Sequence, residues 1–253
     1  AFDAETGAVQ WKISTRGSFH NRREICSLTV AGGAVFFAAQ SGEFYAADAS
    51  TGEMKWMLRP SGTEADQWRG IRVSPVSLPD GAIFFWSPVN QNVHKVDAST
   101  GDIEWRVPIG PVAGDLAIAG RTLFVGSAQR GRDAVNHLYA VGTQTGGIKW
   151  RTQTPGRVGE ITVAGRLVLF GTERVSPLNF KHDDDTDDFA GSRRHIFHNT
   201  NVEQFLYAAA IESGDVEWKF RTGEFRPSVG EVSAPAVAGG VVYVTAGPHA
   251  YAL

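Results

Sequence analysis

The chain has 253 residues, 42% of them hydrophobic and 20% charged, with a formal net charge of −3. This is globular composition with enough apolar residues for a large core, and it lacks the dense basic face that nucleic acid or an anionic membrane needs as a main partner. The longest uncharged apolar runs, such as VAGGAVFFAA at 30–39, reach about half of the roughly 20 residues of a membrane-spanning helix. The opening AFDAETG shows none of the basic, apolar and cleavage regions of a secretory signal. A single cysteine, Cys26, leaves no partner for an internal disulfide or a CxxC site.

In chain order, the first recognisable unit is DAETGAVQW at 3–11. An apolar strand and turn follow at SLTVAGG (27–33), a second strand at AVFFAA (34–39) and a third at EFYAAD (43–48). DASTGEMKW (48–56) then repeats the opening string. The cycle recurs. First strands appear at SPVSLPDG (74–81), DLAIAG (115–120), EITVAG (160–165) and APAVAGG (234–240). Second strands lie at AIFFWS (82–87), TLFVGS (122–127), LVLFGT (167–172) and VVYVTA (241–246), and third strands at NVHKVD (92–97), HLYAVG (137–142), FLYAAA (205–210) and HAYAL (249–253). Further copies of the string stand at 97–105, 142–150 and 210–218. The tryptophans Trp11, Trp56, Trp105, Trp150 and Trp218 are spaced by 45, 49, 45 and 68 residues.

A period near 45 residues in strand-like sequence, with four strands per period, predicts the blades of an all-β propeller. The glycine four residues before each tryptophan supplies the positive φ of a tight turn, and the Asp or Thr side chains bond nearby amides. Strand alternation predicts that Val9, Met54, Ile103, Ile148 and Val216 share a face with the tryptophan, while Gln10, Lys55, Glu104, Lys149 and Glu217 point the other way. Each indole is expected to cover the joint to a neighbouring blade while its N–H finds a carbonyl. The whole chain, 1–253, reads as one such domain of five repeats. Its last blade is expected to borrow an outer strand from the N-terminus, although Ala1–Phe2 and Ala252–Leu253 compete for one column. The alternative is a segment of a longer array.

The AxDxxTGxxxW string beside xPxVAGGxVYV resembles the pyrroloquinoline quinone (PQQ)-type, tryptophan-docking propeller repeat. That family includes quinoprotein alcohol and sugar dehydrogenases, the lipoprotein of the outer-membrane barrel assembly machinery, and sensor domains of bacterial kinases, so fold alone does not choose the function. The resemblance implies a bacterial protein and weakly favours an extracytoplasmic location. The dehydrogenases sandwich PQQ against a disulfide of adjacent cysteines beside calcium. One cysteine cannot supply that disulfide, and no positions match the calcium ligands, so PQQ with calcium is the lesser alternative and no catalytic residue is assigned. GxSxG, P-loop and HExxH motifs are also missing.

The expected function is that of a binding, sensor or scaffold module that takes a protein or small polar ligand at its central mouth. In such propellers the starts of the innermost strands line that mouth. The column there is Ser27, Ser74, Asp115, Glu160 and Ala234, with the mixed charges Arg23, Glu24, Arg72, Arg157, Arg226 and Glu231 just upstream. The plainer alternative is that these charges pair across the channel and hold the blades in register. An insertion at about 176–204 carries Asp183, Asp185, Asp187, His195 and His198. These are weak metal candidates, since the spaced acidic pattern of a calcium loop is missing and HxxH alone is common. A solvated or partner-contacting loop is the stronger expectation. Trp68 reads as a loop anchor, Trp86 as a strand end, and Phe36, Phe37, Phe84 and Phe85 as core.

Overall fold

The computed structural model describes residues 1–14, 25–39, 43–60, 75–78, 80–88, 90–129, 131, 134–177, 200–225 and 232–253. These residues contain nineteen strands and no helix. Sheet 1 comprises β1 (Ile25–Ala31), β2 (Ala34–Ala39), β3 (Phe44–Asp48) and β4 (Met54–Leu58). Sheet 2 comprises β5 (Val76–Ser77), β6 (Ala82–Ser87), β7 (Asn92–Asp97) and β8 (Ile103–Pro108). Sheet 3 has β9 (Ala117–Ala119), β10 (Thr122–Gly126), β11 (Asn136–Gly142) and β12 (Ile148–Thr154). Sheet 4 has β13 (Arg157–Ala164), β14 (Leu167–Pro177), β15 (Thr200–Ala210) and β16 (Val216–Phe225). Sheet 5 has three strands, β17 (Ala236–Ala238), β18 (Val241–Ala246) and β19 (His249–Ala252). All pairings are antiparallel between neighbours in sequence, the meander of a β-propeller blade.

The repeated string joins one sheet to the next. Trp11 Nε1 donates to the Ala49 carbonyl at 3.0 Å, Trp56 to Ala98 at 3.0 Å, Trp105 to Thr143 at 3.1 Å and Trp150 to Ile211 at 2.9 Å. Each acceptor lies in the turn before the last strand of the following sheet. The indole also lies against that turn's glycine. A Cβ on Gly52, Gly101 or Gly146 would come within 2.9 Å of the docked ring, and one on Gly214 within 2.5 Å. These glycines therefore serve twice, at positive φ of +71° to +81° and as the floor beneath the indole. Asp48 and Asp97 fasten the same turns by accepting from the amides and hydroxyls around Ser50 and Ser99, which holds both carboxyls below the usual range.

The expected alternation along the outer strand does not hold. Ala46 pairs with Trp56 but Ala47 pairs with Met54, so Lys55 is bulged out of register, and the same shift recurs in sheets 2, 3 and 4. An extra residue in one strand turns the side chains beyond it to the opposite face. Ala46 and Trp56 pack towards sheet 2, whereas Ala47 packs with Phe37 and Tyr45 on the other side. Val9, Met54, Ile103, Ile148 and Val216 accordingly stand exposed on the face away from the tryptophan.

The core consists of the joints between sheets. Phe36, Phe84, Phe124 and Leu169, one per sheet at one position of the second strand, are 0%, 0%, 0% and 1% exposed. Tyr243, at that position in sheet 5, is 47% exposed. At the other end Leu28 is 60% exposed, whereas its counterparts Leu116 and Ile161 are 4% and 8%. Leu28 in sheet 1 and Tyr243 in sheet 5 thus stand open where the interior joints bury their counterparts.

Closure by the N-terminal segment is not formed. Residues 1–11 make their own hairpin, with a Phe2–Val9 bridge equivalent to the Ala47–Met54 pair. Leu253 exchanges two 2.9 Å backbone bonds with Val242, as Ala47 pairs with Val35. Phe2 and Leu253 therefore claim the same place beside Val9, and Phe2 holds it. Trp11 docks this hairpin onto sheet 1.

Second and third strands carry a stacked aromatic pair in three sheets. Phe37–Tyr45, Phe85–His94 and Phe170–Tyr207 have centroids 5.2, 5.1 and 5.3 Å apart with rings within 14° of parallel. His94 stands where the other sheets use tyrosine. It is fully buried, its Nε2 lies 3.2 Å from Asn90 Oδ1, and its Nδ1 has no hydrogen-bond partner. Burial, with the nearby Arg106 charge, pushes its pKa down to about 4.

Candidate binding mouth

In every sheet the first strand starts at the face opposite the tryptophan-docking turns. The ends of β6, β10 and β14, and of the outer strands β4, β8, β12 and β16, reach that same face. Three of the polar mouth positions expected from sequence lie among residues whose side chains are described, and they sit together at sheets 3 and 4. Glu160 Oε2 accepts from the Asp115 amide at 3.2 Å, linking the starts of two adjacent innermost strands. The backbones beside them touch, since a Cβ on Gly114 would lie 2.0 Å from the Gly159 carbonyl oxygen. Glycine is the residue that permits this approach.

Arg157 opens β13 and donates through Nη2 to Glu173 Oε2 at 2.6 Å, with both side chains about four-fifths buried. A charge-assisted bond of this length ties the first strand of sheet 4 to its second. The space beside the pair, bounded by Gly159, Gly171, Thr172 and Val232, is about 10 Å³. That is room for one water and not for an organic ligand.

Above this pair the second and third strands of sheet 4 extend as a two-stranded arm, paired from Leu167–Ala210 to Pro177–Thr200. Glu203 on the arm lies 3.4 Å from Arg221 Nη2 and 4.0 Å from Arg174 Nη1. Sheet 4 is thereby lengthened at the mouth, and the insertion anticipated at 176–204 is mounted on the same face as Arg157. Its acidic and histidine candidates Asp183, Asp185, Asp187, His195 and His198 lie outside the described residues. So do Arg23, Glu24, Arg72, Ser74, Arg226 and Glu231, and the Ser27 side chain, although Ser27 itself pairs with Ala38 in sheet 1.

A second polar cluster at this face was not anticipated. Asn136 Oδ1 accepts from the Gln129 amide at 2.7 Å, its Nδ2 donates to the Gln129 carbonyl, and Ser127 Oγ accepts from the His137 amide at 2.8 Å. Ser127 also gives its carbonyl to the Val158 amide of the next sheet at 3.0 Å. Ser127 and Asn136 are buried, and they fix the base of the β10–β11 loop. A Ser at a strand end and an Asn nine residues later carry no distinguishing spacing in the sequence.

No three His, Cys, Asp or Glu side chains among the described residues cluster as metal ligands. Among the described residues no helix is long and apolar enough to cross a membrane.

Antiparallel sheets of three or four strands, the first four joined in series by an indole on a turn glycine, define a tryptophan-docked β-propeller repeat protein. The family described as outer membrane protein assembly factor BamB matches residues 1–86 and 89–186. The chain belongs to that family, of the PQQ-like repeat type. BamB of Yersinia pestis is 28% identical over 134 residues, which are 51% of this chain and 34% of that protein. The crystal structure of BamB from Moraxella catarrhalis superposes with a TM-score of 0.60 at 16% identity, over 97% of this chain and 62% of that one. Quinohemoprotein alcohol dehydrogenase from Comamonas testosteroni superposes with a TM-score of 0.59 at 15% identity, over 87% of this chain and 40% of that one. At these identities the superpositions show the fold alone. The chain spans less than two thirds of the length of these relatives.

Proposed function

We propose that this chain is a non-catalytic propeller scaffold of the outer-membrane assembly type, acting outside the cytoplasm, and that it holds a protein partner at the mouth of sheets 3 and 4. Membership of the BamB family is the observation that carries this reading. The arrangement of the mouth supports it. The charges there are engaged with each other, as in Glu160 to the Asp115 amide and Arg157 to Glu173, and the space beside them is too small for a cofactor. Such a face is stiff and polar, with an arm rising beside it. Partner recognition at a propeller rim suits loops and arms carried on a rigid scaffold.

Binding of the full chain to detergent-solubilised outer-membrane assembly complexes tests the proposal. Paired charge reversal at Glu203 on the arm and its partner Arg221 on β16 is expected to weaken capture by about tenfold, while the folded spectrum is kept. Equal capture by the variant removes the arm from the interface. Dye reduction with alcohols or sugars in the presence of PQQ and calcium is expected to stay at background, and turnover there overturns the non-catalytic reading.

A further inference from the structure

The opposite face of the molecule, where the tryptophan-docking turns lie, carries a cavity of about 570 Å³ between sheets 1 and 2. Its floor is apolar, formed by Ala34, Phe36 and Leu78, and its rim is polar, with Lys55, Asp80 and Asp97. The turn residue just before the second strand is Arg121 in sheet 3 and Arg166 in sheet 4, but Gly33, Gly81 and Gly240 in sheets 1, 2 and 5. In sheet 4 the Arg166 guanidinium reaches the outer strand and bonds both carboxylate oxygens of Glu217. The position of Glu217 is taken in sheet 1 by Lys55, which turns to Asp48 at 3.3 Å. In sheet 3 Lys149 folds inward onto Thr122 Oγ1 at 2.6 Å, where sheet 1 has Ala34. A Cβ on Gly33 or Gly81 would meet nothing within 4 Å. Arg166 in sheet 4 lies along the surface with its side chain 76% exposed, whereas the cavity of sheets 1 and 2 is bordered at its turns by Gly32 and Gly81.

The electrostatics of the rim favour a cation. Lys55 is answered by Asp48, which leaves Asp80 and Asp97 as excess negative charge. Asp97 Oδ1 accepts from the Ser99 amide, the Ser99 hydroxyl and the Thr100 amide, and Oδ2 takes none of these bonds. Asp80 Oδ1 accepts from the Ala82 amide at 3.2 Å. A guanidinium on an alkyl chain matches both features, since its stem lies along apolar surface and its planar head meets carboxylates.

We propose that the cavity between sheets 1 and 2, bordered at its turns by Gly32 and Gly81, binds the arginine side chain of a partner peptide against Asp80 and Asp97. This site lies on the face away from the mouth and does not depend on the scaffold reading. The test is calorimetric titration of the full chain with a capped five-residue peptide, Gly-Ala-Arg-Ala-Gly, and with the same peptide carrying citrulline, which keeps the shape and removes the charge. Saturable binding of the arginine peptide alone is expected. Asp80→Asn is expected to weaken it about fivefold, the effect of losing one partly exposed ion pair, and Ser77→Phe to abolish it by filling the cavity. Circular dichroism confirms that each variant is folded, and Asp80→Asn carries the test if Ser77→Phe is not. No saturation with the arginine peptide, equal binding of the citrulline peptide, or wild-type affinity in Asp80→Asn overturns the proposal.

Discussion

Replacing Gly101 by alanine tests the joint between sheets 1 and 2 through a single methyl group. Gly101 sits at φ +81°, and an added Cβ would stand 2.8 Å from Cδ2 of Trp56. The left-handed conformation costs an alanine about 1 kcal/mol. The methyl group must also push the indole from its seat, where Trp56 donates to Ala98 at 3.0 Å and lies against Phe36 and Phe44 at centroid distances of 5.8 and 6.0 Å. Losing that hydrogen bond costs about 1 kcal/mol, and partial exposure of the aromatic contact about 1 kcal/mol more. The expected destabilisation is about 3 kcal/mol. Gly81→Ala is the internal control, because Gly81 has φ +88° and its added Cβ meets nothing within 4 Å. Only the conformational cost of about 1 kcal/mol applies there. Urea unfolding followed by circular dichroism and tryptophan fluorescence measures both, and the shift of the midpoint at unchanged slope gives the difference. Equal losses for the two variants would refute the assignment of the glycine as the floor of the docked indole.

His94 makes stability depend on pH. Its folded pKa, about 4, lies below the value of 6.5 it has in the open chain, so the unfolded state binds the proton first and stability falls as pH drops from about 6.5 to 4. At about 1.4 kcal/mol per unit the full loss is on the order of 3 kcal/mol. His94→Tyr, the residue of the equivalent stacks, is expected to flatten this part of the pH–stability curve, and an unchanged slope would contradict the burial argument. Glu173→Ala leaves the mostly buried Arg157 without this carboxylate, and a loss of about 2–3 kcal/mol is expected in thermal or urea unfolding. Glu203→Ala removes exposed pairs only, and is expected to cost under about 1 kcal/mol and to lose even that in 1 M salt. Gly114→Ala drives a methyl group into the Gly159 carbonyl, and a loss above about 2 kcal/mol is expected in the same unfolding assay.

Much of the fold was legible because the Asp-x-x-Thr-Gly turn and the tryptophan carry their own chemistry. A glycine at positive φ and an indole that needs a carbonyl recur in step, and their partners are the same atoms of the next repeat. Phe36, Phe37, Phe84 and Phe85 were legible as core because they stand in the apolar second strands. The bulge at Lys55, Glu104 and Lys149 was not legible, because one extra residue in a strand leaves the composition unchanged while reversing the face. The overlap of Phe2 and Leu253 was legible in the repeat columns, but that Phe2 holds the place beside Val9 is shown only by the register. Of the mouth, the sequence located Asp115, Arg157 and Glu160 but did not show that Arg157 meets Glu173, since that contact depends on a register shift between Val158 and Ile161. The cavity between sheets 1 and 2 is bordered by Gly32 and Gly81, residues that look like ordinary turn formers in the sequence.

Hydrogen–deuterium exchange on the full chain, free and in complex with a solubilised outer-membrane assembly complex, tests the scaffold role most directly. The expected result is new protection at the start of β13, at the upper part of β14 and β15, and at the base of the β10–β11 loop. Unchanged exchange across those segments, or protection confined to the outer strands β4, β8 and β12, would contradict it.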